Sequence, residues 1–466
     1  MASVARVVII GGGPGGYEAA LVAAQLGAEV SIVERDGLGG SAVLTDCVPS
    51  KTLIATSDVM TSVRESDELG VRVGIGRAPA EGVGVDLGAV NDRVLRLAHA
   101  QSDDVRQRLE AEGVHVVVGT ARLVDGGSAV VARTAGGEER LDADAVLLAT
   151  GARPREVAGA EPDGERVLTW TQLYALAELP DRLVVVGSGV TGAEFASAYE
   201  ALGSEVVLVS SRDLVLPGED PDAAQVIENV FRRRGMTVLN RSRAASVRRT
   251  ADGVLVSLVD GRTVAGSHCL MAVGSVPNTE ALGLEEAGVE TDERGFVVVD
   301  RVSRTSARGV YAAGDCTGVL MLASVAAMQG RIAMRHALGD AVAPLALKTV
   351  SSNVFTDPEI ATVGVTQADV DAGRADAHVV KLALAGNARA KMQGLQDGFV
   401  KLFASLGSRT VTGGVVVAPR ASELVFPIAL AVSQRLTVDQ LSAAFTVYPS
   451  LSGSVAEAAR RLHATS

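Results

Sequence analysis

Cys47 and Lys51 stand four residues apart in Thr45-Asp46-Cys47-Val48-Pro49-Ser50-Lys51. The stretch reads as the start of a helix, where the helix end and the lysine charge both favour a thiolate. Such a thiolate can lend charge to an aromatic ring or mark a substrate pocket; a small inert residue is the plainer alternative. One sulfur cannot run a dithiol relay, because one must attack while another leaves. Cys269 and Cys316 stand at no spacing that points to a disulfide or a metal site.

The second chemical feature is a pair of glycine-rich loops, Gly11-Gly12-Gly13-Pro14-Gly15-Gly16 and Gly187-Ser188-Gly189-Val190-Thr191-Gly192. In each, the first glycine makes a tight turn, the second lets backbone approach a pyrophosphate, and the third packs helix on strand. The helix that follows presents its free N–H groups to phosphate. Gly11, Gly13 and Gly16 are therefore candidate contacts for one dinucleotide, and Gly187, Gly189 and Gly192 for another. Glu34 ends the strand after the first loop and can accept from an adenosine ribose. Its counterpart after the second loop is Ser210, followed by Ser211 and Arg212. Without the carboxylate, and with Arg212 able to pair with a phosphate, the second site is expected to accept NADPH as well as NADH. A merely solvated Arg212 is the alternative. Glu194, two residues past Gly192, lies where a helix can point it back at the cleft.

These residues need scaffolds of one kind. Arg6 to Ile10 reads as a buried strand, a helix runs to Leu26-Gly27, and a strand over Val30 to Val33 ends at Glu34. The pattern returns as Leu183 to Val186, a helix to Gly203, and Glu205 to Val209 ending at Ser210. Gly187 and Gly11, Gly192 and Gly16, and Ser210 and Glu34 all stand 176 residues apart. Two βαβ units in register predict two dinucleotide-binding folds.

The 466 residues leave room for about three domains. A net charge of −12 without a basic run argues against nucleic acid as a partner. Three cysteines suggest a reducing, cytoplasmic setting. The first strand begins so near Met1 that no leader is expected. No apolar run is long enough for an integral membrane segment.

Further motifs resemble the flavoprotein disulfide reductases. Gly39-Gly40-Ser41-Ala42 to Cys47-Val48-Pro49-Ser50-Lys51 is similar to that family's redox segment, with Ala42 in place of its first cysteine. Ala149-Thr150-Gly151 resembles the end of the first FAD segment, and Val273-Gly274 with Pro277-Asn278 the exit from the nicotinamide fold. Tyr311-Ala312-Ala313-Gly314-Asp315 resembles the second FAD motif, and Leu322-Ala323-Ser324 a helix start with serine in place of histidine. In Thr446-Val447-Tyr448-Pro449 to Gly453, Tyr448 and Gly453 replace the family's histidine and its orienting glutamate.

The resemblance implies an α/β chain with two Rossmann-like domains, for FAD and NAD(P), and an α+β C-terminal dimerisation domain. The implied division is 1–150, 151–275, a central segment 276–345, and 346–466. It implies FAD contacts at Gly40, Ser41 and Lys51, at Ala121, Thr150 and Gly151, and at Asp315 and Ala323, with Gly274 at the nicotinamide fold. It implies a homodimer, with Tyr448 serving the partner's flavin, and Lys51 and Glu194 beside flavin N5. Lys51 is one of only five lysines against 38 arginines, which argues against a random surface charge. With the relay sulfur and the base both replaced, the expected activity is that of the family's disulfide-lacking NAD(P)H:quinone reductases: hydride to FAD, then electrons directly to a quinone. Lys51, Glu194, Tyr448 and Cys47 are the expected catalytic residues. A soluble pyridine nucleotide transhydrogenase and a non-catalytic FAD redox sensor are the alternatives.

Overall fold

Arg6–Ile10 carries apolar residues in an unbroken run and is buried along nearly its whole length. Such a strand belongs inside a parallel sheet covered on both faces. In the computed structural model, which describes residues 4–71, 83–124, 128–133 and 137–464, it is the middle of a sheet of that kind. The strand order is Val310–Ala312, Ala145–Leu148, Arg6–Ile10, Glu29–Glu34, His115–Val124, Ser128–Arg133, Glu138–Asp142. The first five run parallel, with Ile9 opposite both Ile32 and Leu147. The last two are antiparallel additions.

The second sheet repeats this order: Val167–Leu168, His268–Met271, Arg182–Val186, Glu205–Val209, Thr237–Leu239, all parallel. A three-stranded antiparallel sheet, Ala244–Arg249, Val254–Leu258 and Thr263–Gly266, accompanies it. The C-terminal sheet is antiparallel, ordered Ser351–Val354, Glu359–Gly364, Val411–Ala418, Phe399–Ser405, Ala377–Ala383. Helices Phe426–Gln434 and Gly453–Ala464 contribute Ile428, Ala431, Ala458 and Leu462 to its apolar core.

The backbone divides into two compact units. One comprises 1–52, 91–155 and 274–346, and the other 53–90, 156–273 and 347–466. The first holds the first glycine loop, and the strand Val310–Ala312 completes its sheet from far along the chain. The second holds the other glycine loop and the C-terminal sheet. Among the described residues no helix is long and apolar enough to cross a membrane.

Candidate active site

The first loop leaves Arg6–Ile10 and enters helix Pro14–Gln25, with proline at its start, where a missing N–H costs nothing. Gly11 has φ +106°, and a Cβ there would lie 2.2 Å from the Ala149 carbonyl oxygen. A Cβ on Gly16 would lie 1.9 Å from the Gly11 oxygen. At Gly13, which caps the helix, no atom comes within 4 Å of a Cβ position. The loop is thus tight on the protein side and open at the helix start, a cradle that suits a pyrophosphate. Glu34 closes it from the neighbouring strand. Its Oε2 accepts from the Gly12 amide at 2.6 Å, and its Oε1 from the Arg35 and Asp36 amides at 2.8 and 2.7 Å.

The second loop repeats this construction. Gly187 has φ +112° with the Ala272 oxygen 2.1 Å from a Cβ position, Gly192 meets the Gly187 oxygen at 1.9 Å, and Gly189 faces open space. The Gly187 amide donates to Val209 as the Gly11 amide does to Val33. The difference lies at the strand end. Ser188 stands where the first loop has Gly12, and its hydroxyl meets that of Ser210 at 2.7 Å. Both are buried, 5% and 0% exposed. The Arg212 amide donates to Ser210 Oγ at 3.1 Å, and the Arg212 side chain is exposed. Arg212 corresponds to Asp36, so the local charge reverses between repeats.

Around the first loop, Gly40 has φ +56° and a Cβ there would lie 2.8 Å from Gly13 Cα. The short helix Gly40–Leu44 carries Ala42, and the Ser41 carbonyl accepts from Asp46 at 2.7 Å. Helix Cys47–Arg64 follows, with Cys47 and Lys51 one turn apart on it and both half-buried. The Asp315 carboxyl is raised to about 6 by burial, and next by the charge of Asp46. Thr150 and Asn278 hold each other: Thr150 Oγ1 donates to the Asn278 carbonyl at 2.7 Å, and Asn278 Nδ2 to the Thr150 carbonyl at 3.0 Å. The Asn278 amide donates to the Gly151 carbonyl at 3.0 Å. Gly274 has φ +92°, and its carbonyl accepts from Arg155. Ala323 begins helix Ala323–Ala337, whose Gln329 accepts from the Gly314 amide at 2.9 Å and so fixes the turn before Asp315. Ala121 lies on His115–Val124 with its side chain in the apolar core, leaving only its backbone for a ligand.

In the other unit, Glu194 is buried on helix Val190–Leu202 and accepts from the Phe355 amide at 2.9 Å. Ser197, one turn on, accepts from Asp357 at 3.3 Å. Tyr448 is 85% exposed, beside exposed Phe445 and Val447. Burial pushes the Cys269 thiol up to about 12 and the Cys316 thiol up to about 11, so both are unreactive.

Family models described as pyridine nucleotide-disulphide oxidoreductase and its dimerisation domain match residues 5–330 and 350–459. The chain belongs to the pyridine nucleotide-disulphide oxidoreductase family. It is 54% identical over 470 residues to an NAD(P)H dehydrogenase (quinone) of Mycobacterium tuberculosis, an alignment covering 99% of this chain and 94% of that protein. It is 35% identical to dihydrolipoyl dehydrogenase 2 of Haloarcula marismortui, covering 97% and 96%. The crystal structure of LpdA from Mycobacterium tuberculosis is similar at 53% identity with a TM-score of 0.93, covering 98% of this chain and 100% of that one. RclA of Escherichia coli, a flavoprotein disulfide reductase induced by HOCl, is similar at 25% identity with a TM-score of 0.85.

Members of this oxidoreductase family use FAD and NAD(P)H. The first loop, with its open helix start and bounding Glu34, fits a dinucleotide of that kind. Nothing in the sequence marks Asn278 as Thr150's partner, 128 residues away, and no local motif marks Gln329, 15 residues past Gly314, as the residue behind Asp315. The Ser188–Ser210 pair did carry a signal: the offset that aligns Glu34 with Ser210 also aligns Gly12 with Ser188.

Proposed function

We propose that this oxidoreductase is a homodimeric NAD(P)H:quinone reductase, with the chain divided functionally at about 150, 275 and 345. The observation that carries the reading is Ala42. It occupies the helical turn before Cys47 where a dithiol relay would need its second sulfur. Tyr448 and Gly453 agree with it, since they stand where the family has the histidine base of the thiol chemistry and its orienting glutamate. Bound FAD supplies a two-electron carrier between the nicotinamide and the acceptor.

The chain's own groups bind and orient. The helix starts at Gly13 and Gly189 receive pyrophosphates, and Glu34 receives a ribose. Asp315 would hold the polyol chain of FAD, and Lys51 and Glu194, each by its own charge, would serve the hydride chemistry that FAD supplies. Tyr448 donates a hydrogen bond to the acceptor oxygen. Its exposure beside Phe445 and Val447 supports a role completed by a second copy through the dimerisation domain. A planar quinone needs no sulfur relay, so the lost groups are no handicap. Cys47, Cys269 and Cys316, none disulfide-bonded, support a cytoplasmic setting.

Anaerobic titration with NADPH, followed by mixing with menadione or oxidised lipoamide, tests the reading. Uptake of one hydride equivalent per flavin and reoxidation by menadione are expected. Uptake of two equivalents, or reoxidation by lipoamide, would overturn it. Transhydrogenation is the second reading, favoured by Ser210 and Arg212 at the second loop. Rapid transfer from NADPH to an NAD analogue without quinone would select it.

A further inference from the structure

The two loops solve one hydrogen-bonding problem in two ways. In the first, a single carboxylate does two jobs: Glu34 Oε2 takes the Gly12 amide and Oε1 takes the Asp36 amide. In the second, the work is divided. Ser210 Oγ takes the Arg212 amide, which is Asp36's counterpart, and the Ser188 side chain reaches across the gap to bond it. The two arrangements compete for the same space. A Cβ on Gly12 would lie 2.8 Å from Leu38 Cδ2, 3.0 Å from Glu34 Oε2 and 3.1 Å from Glu34 Cγ. A glutamate at the strand end and a side chain at the loop's second position therefore crowd each other, and one of them must give by a few tenths of an ångström.

We propose that Ser188 and Ser210 together, and not Ser210 alone, set the second loop's tolerance for a 2′-phosphate on the adenosine ribose. This rests on the reading of that loop as the NAD(P)H site. The pair removes the carboxylate that would repel a 2′-phosphate and fills its place with a closed, buried hydroxyl contact. Both hydroxyls are turned to each other and buried, so neither is presented to a bare 2′-hydroxyl. Arg212, exposed where the first repeat has Asp36, is the group that can meet the phosphate.

The consequence is coupling. Ser210→Glu alone puts a glutamate against the Ser188 side chain, whereas Ser188→Gly with Ser210→Glu rebuilds the first loop's arrangement. The test uses flavin-loaded protein, so that the first loop is filled. Calorimetric binding of adenosine 2′,5′-bisphosphate and of 5′-AMP is compared across wild type, the single variant and the double variant, with thermal melts of each. Wild type is expected to bind the bisphosphate at least as tightly as 5′-AMP. The double variant should lose roughly tenfold or more for the bisphosphate and stay within about threefold for 5′-AMP. The single variant should melt below the double, or fail to fold where the double folds. The inference is overturned if the single variant switches preference as fully as the double and melts no lower. It is overturned alone if wild type binds both probes and the double variant leaves their ratio unchanged. Wild type that binds neither probe would overturn the assignment of the loop itself.

Discussion

Lys401 donates to both carboxylate oxygens of Asp220, at 2.8 and 2.7 Å, and each side chain is 2% exposed. Asp220 in turn caps helix Pro221–Arg233, accepting from the Asp222 and Ala223 amides. The lysine comes from the C-terminal sheet and the aspartate from beside the second nucleotide fold. A buried charge stripped of its partner is costly, so Lys401→Met should lose about 3–5 kcal/mol in guanidinium unfolding. A loss below about 1 kcal/mol would show that the pair is dispensable.

Thiol reactivity should single out Cys47. It is half-buried at a helix start, whereas Cys269 and Cys316 are fully buried and shifted far from the thiolate. One thiol per chain should react with a chromogenic disulfide in native protein, and Cys47→Ser should remove that signal. Two or three reacting thiols in folded protein would contradict the burial.

Asp315 gives a pH signature. Its carboxyl lies at about 6 against an ordinary 3.8 because burial, then Asp46, penalise the ionised form. A group raised in the folded state favours folding below its unfolded pKa and loses that advantage as pH climbs through the folded value. Asp315→Asn carries no such loss. In flavin-free protein the variant should gain on wild type between about pH 4 and 7, by up to about 3 kcal/mol. A difference that stays constant over that range would refute the assignment.

Tyr448→Phe separates the two half-reactions. Flavin reduction by NADPH should be unchanged, while the steady-state rate with menadione should fall about tenfold for one lost hydrogen bond in the transition state. Unaltered quinone turnover would remove Tyr448 from the acceptor site.

The two nucleotide folds were legible because glycine spacing and strand–turn–helix order are local and encode their own geometry. Glu34 and Ser210 were legible for the same reason, as strand ends at a fixed distance from a loop. The contacts made across the chain were not. Thr150 and Asn278 stand 128 residues apart, and nothing at either position announces the other. Lys401 sits inside a strand that is buried along nearly all its length, where periodicity alone would send a lysine to solvent. Its burial is explained by Asp220, 181 residues away, and by the neighbouring Asp222. Ser188 reads in isolation as a commonplace variation in a glycine loop; its meaning appears when the hydroxyl is seen against Ser210.

The strand Val310–Ala312 completes the first sheet only after some 160 intervening residues have been made. On the ribosome, the stretch ending near residue 155 must wait for the chain to reach about 346, a delay of about 10–40 s at ordinary elongation rates. Throughout that interval Ala145–Leu148 has an unpaired parallel edge, made wholly of apolar residues. The second glycine-loop fold, whose own strands all lie between 167 and 271, can close first. Nascent chains stalled after Met271 has left the ribosomal exit tunnel, but before Val310 has, should therefore already hold a protease-resistant nicotinamide-type fold while the first one is still digestible.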